Sequence, residues 1–182
     1  MPVIKNTKES ITRIIHWSLA MYLIVMLSIG FYMKNTRYNP ELYQLHKSLG
    51  VLICLLIIGR LFWRSKHAWQ SNALGTSKAP LVRFFHLALT TLMILMPVTG
   101  LMVSAFSGFG IHLFGTFIVP EFFDIEGKIT PLNSYIYQLS KELHNIFAYT
   151  FSLLIISHIL IALKHHYIDK DDTLIRMLSK KR

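Results

Sequence analysis

The sequence predicts an all-α protein, an integral membrane four-helix bundle with both termini cytoplasmic, formed as one transmembrane domain over residues 1–182. Three observations carry that expectation. Hydrophobic residues make up 53% of the chain and charged residues only 15%, greasier than an ordinary soluble domain of 182 residues. Three stretches, Ile14 to Met33, Phe84 to Phe106 and Leu143 to Leu163, contain no Asp, Glu, Lys or Arg. Each is long enough to cross a hydrocarbon core about 30 Å thick as a helix. Finally, the basic residues gather on one side once the chain is cut at its spans.

The first helix is expected at residues 14–33. A signal peptide is the competing account, but the segment exceeds the apolar core of a signal sequence and runs into Lys34, Asn35 and Arg37 instead of a small-residue cleavage site. The second helix, residues 42–64, carries Lys47 near one end and Arg60 near the other, where long basic side chains reach the headgroups. The third, residues 82–106, contains Pro97 and Gly100 in the string MPVTGL, which kink or loosen it for packing or for cofactor room. Residues 105–120 are also uncharged, but Gly108, Gly110 and Gly115 argue against a fifth crossing. That stretch reads as an ordered surface loop with room for a short interfacial helix. The fourth span is expected at residues 142–167, followed by a short capped helix in the tail after Asp169, Asp171 and Asp172.

Fourteen basic residues then fall on the side of the termini: Lys5, Lys8 and Arg13; Arg60, Arg64, Lys66, Lys78 and Arg83; and Lys164, Lys170, Arg176, Lys180, Lys181 and Arg182. Five fall on the other side: Lys34, Arg37, Lys47, Lys128 and Lys141. The positive-inside rule places both termini in the cytoplasm. The formal charge of +10 is therefore a topology signal, and no nucleic-acid partner is expected.

Histidine spacing points to the chemistry. His144 and His158 lie fourteen residues apart in the fourth span. At about 100° and ~1.5 Å per residue, both face one way with a separation of ~21 Å in depth. His16 matches the depth of His158, and His46 that of His144. Two imidazoles at equal depth on facing helices are what a bis-histidine haem requires, so the natural reading is a ladder of two haems. A lone histidine near a helix end is more often an interfacial or hydrogen-bonding residue; four that sort into two pairs are harder to explain that way. Zinc fits less well, since structural zinc takes four clustered ligands. Cys54 is the only cysteine and no C-x-x-C-H motif is present, so any haem is held non-covalently. Gly50, four residues after His46, either lets a macrocycle lie close or serves small-residue helix packing.

The chain resembles the bacterial cytochrome b561 family of four-helix dihaem membrane proteins. The resemblance rests on Ile15-His16-Trp17, the LHKSLG string at residues 45–50, His86 followed by Pro97 and Gly100, Glu142-Leu143-His144, and HHYIDKDDTLIRM from His165 to Met177. It covers nearly the whole length. It implies two non-covalent haem b groups with His16, His46, His144 and His158 as axial ligands of the iron, paired His16/His158 and His46/His144. It also implies a multi-pass protein of the bacterial inner membrane that moves electrons between an outer-side donor and quinone. Some members resemble superoxide:ubiquinone oxidoreductases, which makes superoxide a candidate donor and ubiquinone the acceptor.

Lys34, Arg37, Lys47 and Lys141 suit the steering of an anion such as superoxide, although Glu121, Asp124 and Glu126 share that side. His86, His165, His166 and Arg60 are the candidate contacts for a quinone or a haem propionate. For His86 the rivals are a propionate partner and an alternative axial ligand to His16; for His165 and His166, a solvated helix end. Arg64 and Arg83 suit propionates or simply the topology rule, and Trp17, Trp63 and Trp69 the aromatic belts of any membrane protein. His67 and His112 read as surface or loop residues. Three function classes follow. They are a self-contained redox enzyme, a haem-bearing membrane subunit relaying electrons for a partner dehydrogenase or hydrogenase, and a histidine-based metal or proton transport protein.

Overall fold

The computed structural model describes residues 2–67 and 79–178; Trp69, Lys78, Lys180, Lys181 and Arg182 lie outside them. Four long helices dominate: α1 (Pro2–Asn35), α2 (Pro40–Lys66), α3 (Ala79–Phe106) and α4 (Ser134–Tyr167). All four are long and apolar enough to cross a membrane. A hairpin of β1 (Ile111–Leu113) and β2 (Thr116–Val119) precedes α4, and α5 (Thr173–Leu178) follows it. Along the bundle α1 packs on α2, α2 on α3 and α3 on α4. One end therefore carries the start of α1 and the end of α4, and the other carries the hairpin.

Local chemistry sets the helix starts. Asn39 accepts the Leu42 N–H at 3.2 Å with Pro40 opening α2, and Asn133 accepts the Ile136 N–H at 3.0 Å to start α4. This cap places the start of α4 eight residues before the expected position 142. The Lys141–Glu142 pair that closed the uncharged stretch lies inside the helix, on exposed positions.

The connection after α3 forms a hairpin where a surface loop or short interfacial helix was expected. Phe114 and Gly115, with φ of 47° and 91°, make a two-residue turn with both central residues left-handed, which matches strand twist and needs glycine at one position. The hairpin is tied to α2: the Phe114 N–H donates to Ser48 Oγ at 3.1 Å, and Lys47 Nζ reaches the Gly110 carbonyl at 3.5 Å. It thus covers the α2 turn that carries His46.

The short helix expected in the tail is present as α5. Asp171 accepts the Thr173 N–H at 2.9 Å, and the Trp17 indole on α1 donates to the Met177 carbonyl at 2.8 Å. Trp17→Phe removes that donor while keeping most of the ring. We expect the tail to become markedly more susceptible to limited proteolysis with the four long helices unaffected; an unchanged cleavage rate would show that α5 docks by other contacts.

Candidate functional site

At the terminus end, His16 on α1 and His158 on α4 bring their rings to 6.4 Å between centroids. A metal held about 2 Å from an imidazole nitrogen on either side sets two ring centroids roughly 6 Å apart, so the spacing suits one ion between them. His86 on α3 lies 5.9 Å from His158, edge-on at 83°. Distance does not separate the two rivals; burial does. His16 is half-buried inside the bundle, whereas His86 is exposed on α3. His86 Nδ1 contacts the Val82 carbonyl at 2.7 Å, so that nitrogen donates and Nε2 is left bare.

Arg60 on α2 stands behind His16, with NH1 at 3.4 Å from His16 Nδ1. A guanidinium only donates, so this contact makes Nδ1 the acceptor and leaves the proton on Nε2. Were His16 to hold a metal through Nε2, that proton would move to Nδ1 and Arg60 would be free for an anionic partner.

At the hairpin end His144 is already in the opposite tautomer. Its Nδ1 lies 3.1 Å from the Met96 carbonyl, which can only accept, so Nδ1 donates and Nε2 presents its lone pair. The Thr99 hydroxyl, 3.0 Å from the same nitrogen, also packs there. The approach is tight at Gly100: a Cβ there would lie 3.1 Å from His144 Cε1. His46 on α2 is within electrostatic reach of His144, and its Nδ1 is buried without a hydrogen-bond partner among the described residues. Gly30 on α1 faces it, with an added Cβ 3.6 Å from His46 Cε1. A bare Nε2, an orphaned imidazole nitrogen and two facing glycines form a cradle that fits an iron macrocycle. The same cradle gives a structural zinc too few ligands, because the described residues hold no group of three or more His, Cys, Asp or Glu side chains suited to a metal.

Between the two ends the bundle is plugged. Leu19, Ile53, Ile57, Met93 and Phe151 form the buried core, and Phe151, 2% exposed, lies seven residues from both His144 and His158 on α4. Seven residues are close to two helical turns, so all three side chains share one face.

The remaining sequence candidates separate from these clusters. His165 Nδ1 comes within ion-pair distance of Asp169 at 2.9 Å and Asp171 at 3.1 Å, off a hydrogen-bond line, and His166 stacks edge-on against Tyr167. His67 caps α2 and stacks on Trp63 at 4.2 Å, while His112 lies in β1. Arg64 reaches Thr90 at 3.5 Å. Gly50, adjacent to His46 by sequence, instead faces Met26 on α1, where a Cβ would sit at 4.0 Å, and so serves helix packing. Sequence reasoning missed Gly30 because its partner lies on another helix; its only signal is a glycine inside an uncharged span at the depth of His46.

Comparison with known proteins agrees with this architecture. The model of the prokaryotic cytochrome b561 family matches residues 9–180. The chain is 32% identical over 184 residues to cytochrome b561 homolog 2 of Escherichia coli (strain K12), covering 96% of this chain and 94% of the relative. It is 25% identical to cytochrome b561 homolog 1 of the same organism, over 92% and 94% of the two chains. It is 27% identical to a protein of Yersinia pestis named probable superoxide oxidase CybB, over 92% and 93%. With four apolar membrane-spanning helices and this family match over nearly its whole length, the chain belongs to the prokaryotic cytochrome b561 family and is a multi-pass inner-membrane protein that binds haem b and transfers electrons.

Proposed function

We propose that the protein holds two haem b groups, one at each end of the bundle, and carries electrons across the membrane from an outer-face donor to ubiquinone. His46 and His144 ligate the outer group and His16 and His158 the inner one, with the termini in the cytoplasm. The observation that carries this reading is His144, whose Nδ1–H is fixed on the Met96 carbonyl and whose Nε2 is bare beside Gly100. A carbonyl partner behind a metal-binding imidazole sets its tautomer and orientation. Haem held by two imidazoles supplies a one-electron couple with no open position for oxygen.

The chain's own side chains do the rest. Met96 and Thr99 hold His144, Gly30 and Gly100 leave space, and the Leu19–Phe151 core keeps water out of the interval between the pairs. Superoxide is the favoured donor. Lys34, which lies over the Tyr149 ring, and Lys47, which lies over the Phe109 ring, put positive charge at the hairpin end. The name of the Yersinia pestis relative points the same way. Each superoxide gives up one electron and leaves as dioxygen; two such events and two protons convert one quinone to quinol.

The test is optical. Purified protein should show reducible low-spin haem bands, a superoxide pulse should reduce them, and added ubiquinone should reoxidise them. Absence of the bands would sink the redox reading. Bands that ignore superoxide but respond to a reduced dehydrogenase or hydrogenase would replace the donor with a protein partner.

A further inference from the structure

After leaving α3 the chain turns back along the flank of α2. Gly100 lies against the His144 ring and His46 within its electrostatic reach, which sets a common level on α3 and α2. α3 ends at Phe106, six residues or ~9 Å beyond Gly100, whereas Ser48 lies two residues or ~3 Å from His46 toward the bundle centre. Because the Phe114 N–H donates to Ser48 Oγ, the hairpin turn comes back roughly 10 Å into the span. Ser48 is about 200° round α2 from His46, so the hairpin packs on a face turned away from the histidine pair. α2, 27 residues or ~40 Å long, matches a bilayer with its headgroups, and Ser48, ~12 Å from its start, falls just inside the boundary between headgroups and acyl chains. At that depth the hairpin presents an apolar surface. Phe114, Phe117 and Ile118 are each more than half exposed, and residues 105–120 include no Asp, Glu, Lys or Arg.

We infer that the β1–β2 hairpin is a lipid-anchored wedge, with Phe114, Phe117 and Ile118 seated among the upper acyl chains of the leaflet beside α2. Three observations favour lipid over a protein partner. The apolar surface of the hairpin is continuous with the exposed apolar side chains of the membrane-spanning α2, among them Leu45 and Leu55. Charge resumes abruptly after it: Asp124 Oδ1 accepts the Glu126 and Lys128 N–H groups at 2.8 and 2.9 Å, and Lys128 pairs with Glu126 at 2.8 Å, a charged turn suited to water. Third, non-helical backbone near acyl chains needs its polar groups satisfied by protein. α2 supplies the partners, the Ser48 hydroxyl for the Phe114 N–H and the Lys47 ammonium, at 3.5 Å, for the Gly110 carbonyl. That gives two polar residues about two turns inside an apolar helix a structural purpose. Aromatic side chains suit the headgroup level, and interfacial segments bury their apolar faces about 5–10 Å into this boundary. The lipids then press the hairpin onto the α2 turn that carries His46.

Depth can be read directly. Cys54 is the only cysteine, so in full-length, haem-loaded Cys54→Ser protein single spin labels can be placed by Phe114→Cys, Ile118→Cys or Ile125→Cys, all exposed positions. The protein is reconstituted in phosphatidylcholine vesicles. Oxygen concentrates among acyl chains and a neutral nickel chelate in water, so the logarithm of their collision ratio is positive in lipid and negative outside it. Positions 114 and 118 should give positive values and position 125, on the charged turn, a negative one, with haem content and spectrum as in the wild type. A negative value at 114 or 118 would put the hairpin in water and overturn the wedge. Label–label broadening at 114 that persists on dilution with lipid would also overturn it, by giving the face to a second copy of the chain. Phe114→Trp makes the same measurement with Cys54 intact: above the signal of the three native tryptophans, brominated phosphatidylcholine should quench it and aqueous acrylamide should not. Quenching by acrylamide alone would equally overturn the proposal.

Discussion

Replacing His144 or His158 by alanine is expected to halve the haem content, from about two per chain to about one, because each variant removes one of two axial nitrogens from a different site. The double variant should contain none. The loss should be site-selective: the fourteen residues between the two positions put them ~21 Å apart, too far for one site's collapse to remove the other's ligands. Thermal stability should fall alongside, since a group bound only by the folded state stabilises it by mass action. His16→Ala and His86→Ala then decide the inner pair. His16→Ala should lose the inner haem, while His86→Ala, which removes an exposed ring bonded to its own helix, should retain both. The reverse outcome would make His86 the ligand and His16 the supporting residue. The measurement is a pyridine haemochrome titration per mole of purified chain, read together with the reduced-minus-oxidised spectrum.

What the sequence revealed of this site follows from what a helix makes one-dimensional. Depth along a helix is a matter of counting, so the meeting of His16 with His158 at one end was legible, as was the shared end of His46 and His144. Rotation about the axis and the identity of the facing neighbour are not a matter of counting. Gly50 stands one turn from His46 in the chain and faces Met26; Gly30 and Gly100, on helices that contribute neither outer histidine, do the spacing. The tautomer of His144 depends on a carbonyl forty-eight residues away and is invisible before α3 and α4 are docked. The ends of the apolar segments misled for a related reason. Hydropathy marks the part of a helix suited to lipid, whereas the start of α4 is set by Asn133, nearly three turns before the uncharged stretch begins at Leu143. The β1–β2 hairpin carries Phe-Gly at its turn where Asn-Gly or Asp-Gly would have announced it, and its strands are too short for alternation to show.

Gly100→Leu is therefore expected to abolish the outer haem as completely as His144→Ala does, although residue 100 carries no ligand. Even a methyl group there would lie 3.1 Å from His144 Cε1 and 3.5 Å from Nδ1, a contact that presses on the ring held 3.1 Å from the Met96 carbonyl. Alanine needs a shift of a few tenths of an ångström. Gly100→Ala should keep both haems while weakening a hydrogen bond worth about 1 kcal/mol, visible as an altered spectrum or potential of the outer group alone. Leucine cannot be accommodated by so small a shift, and Nε2 turns away from the macrocycle. Gly50→Ala is the control on the same bundle. Its added methyl meets Met26 Cε at an ordinary 4.0 Å, and the change removes a residue that costs a helix about 1 kcal/mol relative to alanine. It should leave haem content unchanged and stability equal or slightly higher. If Gly100→Leu retained two haems with wild-type spectra, His144 would not depend on that close approach, and the cradle built from the facing glycine would have to be abandoned. Loss of the outer haem in Gly100→Leu with retention in Gly50→Ala would instead show that the site depends on empty space as well as on its nitrogen ligands.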